Sequence, residues 1–333
     1  MVIFESLSGV FACLLMIALG YGLTARGWFD EATGRLFSRM VMGIAIPFYM
    51  IVSLTKSYGR DDLLSIGVAV VVPLCVLSAS FVTGLVVSRL AGVPAARLGT
   101  FRAMFFTSNS GFIGFPVVAA LFGEAALPYA VMYYLVQTCL FWTIGAWGLA
   151  REGARAEAAG AAAGQDGGRA ANAAAPAFGL ATLKNVVSPP LVGAMVAIAL
   201  ILGDIRLPTF LTASFAHLAA MTTPLVMLFL GIAIYCVNLR SVRPTRDMVV
   251  LIAGRFLIAP AVALAVTALV PVPELMRKVV VMEAAMPVMT QVSVAARVYG
   301  ADAHYVAVLT AITTIMAAVT IPAWFLLLEF GLV

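Results

Sequence analysis

TSNSGFIGFP, residues 107–116, interrupts an apolar run that extends over residues 98–122. Thr107, Ser108, Asn109 and Ser110 carry short polar side chains that compete for the helical backbone. Gly111 and Gly114 loosen the chain, and Pro116 removes a backbone donor and crowds the preceding turn. In water such a stretch is a loop. Inside lipid, every backbone N–H and C=O it releases needs a partner within the protein.

Composition says that the surroundings are lipid. Hydrophobic residues make up 63% of the 333 and charged ones 11%, and the mean hydropathy is +1.08. A soluble domain carries about 25% charged residues. Apolar runs occupy residues 3–24, 36–54, 63–88, 98–122, 126–149, 186–203, 212–237, 248–270, 275–299 and 304–328. Most reach the ~20 residues that span a bilayer as a helix. The expectation is an all-α integral membrane protein of ten spans, because the alternating strands of a membrane barrel are absent from the pattern.

Met1–Glu5 shows neither a cationic region nor a following cleavage site, so the first span is expected to stay. Cys13, Cys75, Cys139 and Cys236 fall singly in separate spans, which is no metal or disulfide framework and reads as apolar packing. The net charge of +5 comes from Lys and Arg scattered at span ends, with no nucleic-acid motif. No cofactor or metal is expected.

Counting those charges by loop gives a topology. Arg26, Arg35, Arg39, Arg89, Arg97, Arg102, Arg151, Arg155, Arg169, Lys184, Arg240, Arg243 and Arg246 collect on one side, thirteen in all. Lys56, Arg60, Arg206, Arg277 and Lys278 collect on the other, five in all. The positive-inside rule then sets both termini in the periplasm and residues 151–184 in the cytoplasm of an inner-membrane protein. That segment is rich in Ala and Gly and reads as a flexible linker between a first five-span half, 1–150, and a second, 185–333.

Five spans per half send the second half into the membrane from the opposite side, so homology between the halves makes an inverted repeat. Prolines recur in order, Pro47 with Pro224, Pro73 with Pro260, and Pro116 with Pro287. The counterpart of the opening stretch is EAAMPVMTQVSVAARVYG, residues 283–300. Interrupted spans at matching positions point to an ion or substrate site at the repeat interface. Ser108, Asn109, Ser110, Thr290 and Gln291 are its candidate ligands, with Gln137 and Tyr133 as candidate cavity residues. Gly111, Gly114, Pro116 and Pro287 are the candidate breaks. Gly111 and Gly114 have a second reading as close-packing positions.

NSGFIGFP at 109–116 and MPVMTQ with AARVYG at 286–300, together with ten spans and a central loop, resemble the auxin efflux carrier family, prokaryotic branch. The resemblance covers essentially the whole chain. It implies a scaffold domain and a transport domain, crossing fourth and ninth helices, and elevator-like carriage of a small organic anion such as a carboxylate. Gln291 departs from the Asn more usual in bacterial relatives. The expected partners are that anion and lipid, with a second copy of the chain as an oligomeric option.

Glu283 lies about nine residues into its span, roughly 13 Å deep at 1.5 Å per residue, and Arg255 lies within the eighth span. Ionisable groups at such depth mark pathways, so the two are a candidate coupling pair. Arg102, Arg297, Glu5 and Glu329 sit near span ends and read as snorkelling groups. A sodium- or proton-coupled cation or bile-acid-type carrier of similar plan is the competing function. It calls for intramembrane aspartates, whereas all seven Asp lie in loops or at span ends. An intramembrane serine protease fails on its motif, since position 108 before Ser110 is Ser rather than Gly. From the charge count, Gln165→Cys in a background without the native cysteines should label from the cytoplasmic side only; labelling from outside intact cells would reverse the topology.

Overall fold

The computed structural model describes residues 2–57, 59, 67–162, 189–236 and 244–331. Among these the chain forms helices and no strand. α1 (Val2–Ala25), α2 (Glu31–Met40), α3 (Ile46–Ser57), α4 (Gly67–Leu90), α5 (Leu98–Phe106), α6 (Phe115–Phe122), α7 (Leu127–Leu140) and α8 (Ala146–Ala162) form the first half. The second contains α9 (Pro189–Leu202), α10 (Thr209–Ala220), α11 (Thr222–Cys236), α12 (Arg246–Ala253), α13 (Ala259–Leu269), α14 (Glu274–Ala284), α15 (Gln291–Val298) and α16 (Ala303–Glu329).

By length and composition six helical stretches suffice to cross a membrane: Glu31–Lys56, Val70–Leu90, Glu124–Ala158, Thr209–Cys236, Arg246–Leu269 and Ala303–Glu329. Shorter apolar helices lie at Phe11–Ala25, Ser110–Phe122 and Pro189–Leu202. The remaining expected run, 275–299, is cut between α14 and α15. α8 also runs on to Ala162, twelve residues into the segment read as linker. Its Ala-rich composition favours helix, and Glu152 within it is buried, accepting from Thr100 N–H at 2.9 Å and Asp302 N–H at 3.1 Å. Residues 163–184, with Arg169 and Lys184, lie outside the described residues.

Packing sorts the helices into two groups. α1 lies along α11, and α3 lies between α9 and α10. In the other group α4 packs on α5, α7 and α13, α5 on α8, α14 on α13 and α7, and α15 on α16. The groups meet where α6 touches α1 and α11, where α16 touches α11, and where α3 touches α7. Cys75, Cys139 and Cys236 lie on exposed helix surface and Cys13 is half-buried. The expected packing role therefore fits Cys13 alone, the other three facing outward from their helices.

Three of the recurring prolines, one of them the candidate break Pro116, do not break their helices. Pro47, Pro116 and Pro260 each follow a five-residue π turn, at Val41–Ala45, Ser110–Gly114 and Gly254–Ile258, and each sits second in the α-helix that follows. The wider turn gives the ring room where an α turn would clash with it, and places the missing N–H among the first-turn donors.

The α1–α11 contact is a backbone-to-backbone approach. A Cβ on Gly231 would run into the backbone of Ile17, Gly20 and Tyr21, and one on Gly20 into that of Leu228. Small residues at such crossings let membrane helices gain dispersion contacts that lipid cannot match. Gly231→Leu is expected to cost about 1–3 kcal/mol by overpacking, seen as a lower melting temperature in detergent. Gly22→Leu, where nothing lies within 4 Å of an added Cβ, should melt like the parent protein.

Candidate functional site

The stretch that opened the sequence does break its helix, but at its first three residues. α5 ends at Phe106, and Thr107 turns extended, with φ −104 and ψ 138. The π turn Ser110–Gly114 then leads into α6. The second break runs from Ala285 to Thr290, between α14 and α15. The two breaks meet: Asn109 N–H donates to the Pro287 carbonyl at 2.8 Å, and Ser108 pairs with Val288 in an isolated antiparallel bridge.

Two side chains satisfy most of the released backbone. Gln137 on α7 accepts from Ser108 N–H at 2.8 Å and Ser108 Oγ–H at 2.9 Å, and donates to Ser108 O at 2.7 Å and Ser110 Oγ at 2.9 Å. It is thus a clamp on the first break, using both halves of its amide. Arg255, wholly buried in the π turn of its helix, donates to Phe105 O at 2.6 Å, Met286 O at 3.1 Å and Ala284 O. Those carbonyls are at the C-terminal ends of α5 and α14. The guanidinium therefore sits where two helix ends concentrate negative partial charge. Hydrogen bonds to a charged group contribute about 1.5–3 kcal/mol each, which offsets the burial of one cation.

The candidate ligands separate into two environments. Ser108, Asn109, Ser110, Gln137 and Tyr133 are buried, and Tyr133 lies within electrostatic reach of Arg255 and Glu283. Thr290 and Gln291, at the start of α15, are only half-buried. Three polar atoms at the crossing are sealed from solvent yet have no hydrogen-bond partner among the described residues: Asn109 Nδ2 and both carboxyl oxygens of Glu283. Arg255 makes no ion pair with Glu283; three of its five N–H donors go to the three carbonyls.

Gly114 owes its place to this carboxyl, since a Cβ there would strike both Glu283 oxygens. Gly111 faces the ring of Tyr134 in the same way, with a Cβ only 2.7 Å from Cε2. At both positions an added Cβ would meet a packed side chain. Pro287 stands in the second break itself and supplies the carbonyl that receives Asn109.

Sequence reasoning passed over residues that hold the site. Thr313 Oγ1 accepts the Val288 N–H at 3.2 Å, and Trp324 Nε1 donates to the Phe256 carbonyl at 2.8 Å beside Arg255. Their only sequence signal is a polar atom within the last apolar run. Beyond the crossing, Arg97 at the head of α5 pairs with Asp302 at 3.0 Å and Asp247 at 3.4 Å. Partial burial works against its charge, but the hydrogen bond and charge of Asp302 outweigh it and raise its pKa. Glu329, read as a snorkelling group, pairs with Lys278 at 3.2 Å. Between the two groups a cavity of about 340 Å³ is lined by Tyr49, Ser53, Lys56 and Glu124, and Lys56 and Glu124 pair across it at 2.5 Å.

Interrupted helical segments that meet around buried polar atoms are an arrangement that membrane carriers use for their substrate and ion sites. A family profile described as "Membrane transport protein" matches residues 5–325, and the chain belongs to that family, the auxin efflux carrier type of transporter. An uncharacterized transporter of Methanocaldococcus jannaschii is 24% identical over 95% of this chain and 96% of its own. An uncharacterized transporter of Methanothermobacter thermautotrophicus is 26% identical over 97% and 99%.

The clamp makes a graded prediction. Gln137→Leu strands several buried groups of the first break, at about 1–3 kcal/mol each, and should lower the melting temperature more than Ser110→Ala, which removes one bond. A Gln137→Leu protein melting with the parent would show that the break needs no clamp.

Proposed function

We propose that the protein is a secondary carrier that moves a small organic anion across the inner membrane by an elevator-type exchange of access. Its ten spans form two inverted five-helix halves, with the fourth and ninth broken at the substrate site. The observation that carries this reading is the junction of the breaks. There Asn109 Nδ2 and the Glu283 carboxyl are buried without partners among the described residues, beside a cation that already holds both broken helix ends. An organic carboxylate supplies what this place lacks, namely an acceptor for an amide donor and a negative charge near a guanidinium.

The two packing groups support the elevator reading. α1, α3, α9, α10 and α11 come from the first two spans of each half and would serve as the scaffold. The remaining spans of each half, with both breaks, would move as the transport domain. The cavity between the groups near Lys56 and Glu124 would then be an access route, closed at one face by that pair.

Coupling rests on Glu283. A carboxyl shut away from water with no hydrogen-bond or ion-pair partner among the described residues is lowest in energy with its proton on. On losing that proton it becomes a competitor for Arg255 and would draw the guanidinium away from the Ala284 and Met286 carbonyls. Proton release would thereby loosen the second break, and proton uptake would lock it. The anion and the proton would thus share one keystone.

Uptake of a panel of labelled carboxylates into proteoliposomes, with and without a pH gradient, tests the reading. Asn109→Ala should weaken substrate binding by about 1–3 kcal/mol, roughly five- to 150-fold. Glu283→Gln should keep binding and exchange but lose acceleration by the pH gradient. A well-folded Glu283→Gln protein with undiminished proton-driven uptake would remove the coupling role, and uptake that follows sodium alone would favour the sodium-coupled carrier instead.

A further inference from the structure

A second cavity, of about 370 Å³, lies apart from the crossing, between α4, α5 and the chain from Ile144 to Arg155. Its rim carries Arg102, Arg151 and Arg155, and the charges of Arg89, Arg151 and Arg155 all act on Arg102. None of these four arginines has a carboxylate partner among the described residues; Arg102 bonds the Ser88 hydroxyl at 3.0 Å, and Arg151 rests on the Trp147 ring at 5.2 Å. The one acid in the lining, Glu152, is turned to Thr100 and Asp302 and offers them nothing.

Four clustered arginines without a carboxylate partner among the described residues make a positive patch that attracts an anion. We propose that the cavity is a binding site for an anionic phospholipid, whose phosphate is taken by Arg102, Arg151 and Arg155. Three observations select a lipid over a soluble anion. The cavity walls are apolar, including Phe81, Leu85, Leu98 and Phe106. Next to it lies an exposed hydrophobic surface of Val82, Val86, Ile144 and Trp147, between 37% and 56% exposed, that an acyl chain would cover. No lining residue comes from α1, α3, α9, α10 or α11, so the cavity opens on the flank of its own helical group and not on the route between groups.

The position is that of a headgroup. Arg89 stands in the last turn of α4, and Arg151 and Arg155 stand past the apolar part of their span, on the side the charge count assigns to the cytoplasm. Basic pockets between helices on that side suit anionic headgroups. Arginine forks also match phosphate oxygens two at a time. At the inner end, Phe106 meets Phe81 edge-on at 5.4 Å, one residue before the first break. A lipid seated here would brace α5 against α4 without touching the substrate.

Native mass spectrometry of the purified full chain, titrated with phosphatidylglycerol and with phosphatidylcholine, tests the proposal. The parent should retain phosphatidylglycerol at least tenfold better than phosphatidylcholine. The triple variant R102Q/R151Q/R155Q should lose that preference, while R102K/R151K/R155K should keep most of it, separating charge from damage to the fold. Equal retention of the two lipids by the parent, or an unchanged preference in the glutamine variant, would overturn the site. Displacement of phosphatidylglycerol by equimolar inorganic phosphate or by a transported carboxylate would overturn the lipid as occupant.

Discussion

Everything at the centre of this protein follows from one constraint: a backbone broken inside lipid must be hydrogen-bonded by protein. Arg255 meets it for two breaks at once. Its guanidinium joins Phe105, at the end of α5, to Ala284 and Met286, at the end of α14. A neutral side chain of similar length could bond one or two of these carbonyls. Only a forked cation reaches three and also opposes the partial negative charge of two helix ends. Gln137 completes the first break, and Thr313 ties the second to α16.

The same constraint explains the chemistry left over. Once the backbone is satisfied, Asn109 Nδ2 and the Glu283 oxygens remain as buried polar atoms without partners among the described residues. Buried polar groups are ordinarily paired, and leaving one unpaired costs about 1–3 kcal/mol. A structure that keeps three of them at one spot gives a passing ligand or proton something to bind. Gly114 is part of that arrangement, because any side chain there would displace the carboxyl.

The all-helical, membrane-embedded character was legible in the sequence, since hydropathy runs depend on the solvent and not on tertiary detail. The two breaks were legible too, from clustered polar residues, Gly and Pro in matching spans. Their placement within each stretch was not: Pro116 reads as the breaker, yet the π turn before it absorbs the ring, and the break falls at Thr107–Asn109. Arg255 and Glu283 stood out as deep charges, but depth alone suggested that they pair. The carbonyls at two helix ends are invisible to side-chain reasoning, and they claim the arginine first. Glu152 was missed because its Ala- and Gly-rich neighbourhood reads as linker, whereas the helix carries it back onto Thr100.

The central claim is that the junction of the two breaks is where the transported anion binds. Single-particle imaging of the protein in lipid nanodiscs with its best transported carboxylate tests this most directly. The account predicts ligand density within hydrogen-bonding distance of Asn109 Nδ2, with Arg255 still holding at least one helix end. Well-defined ligand density elsewhere, with Asn109 and Glu283 unchanged and still without partners, would contradict it.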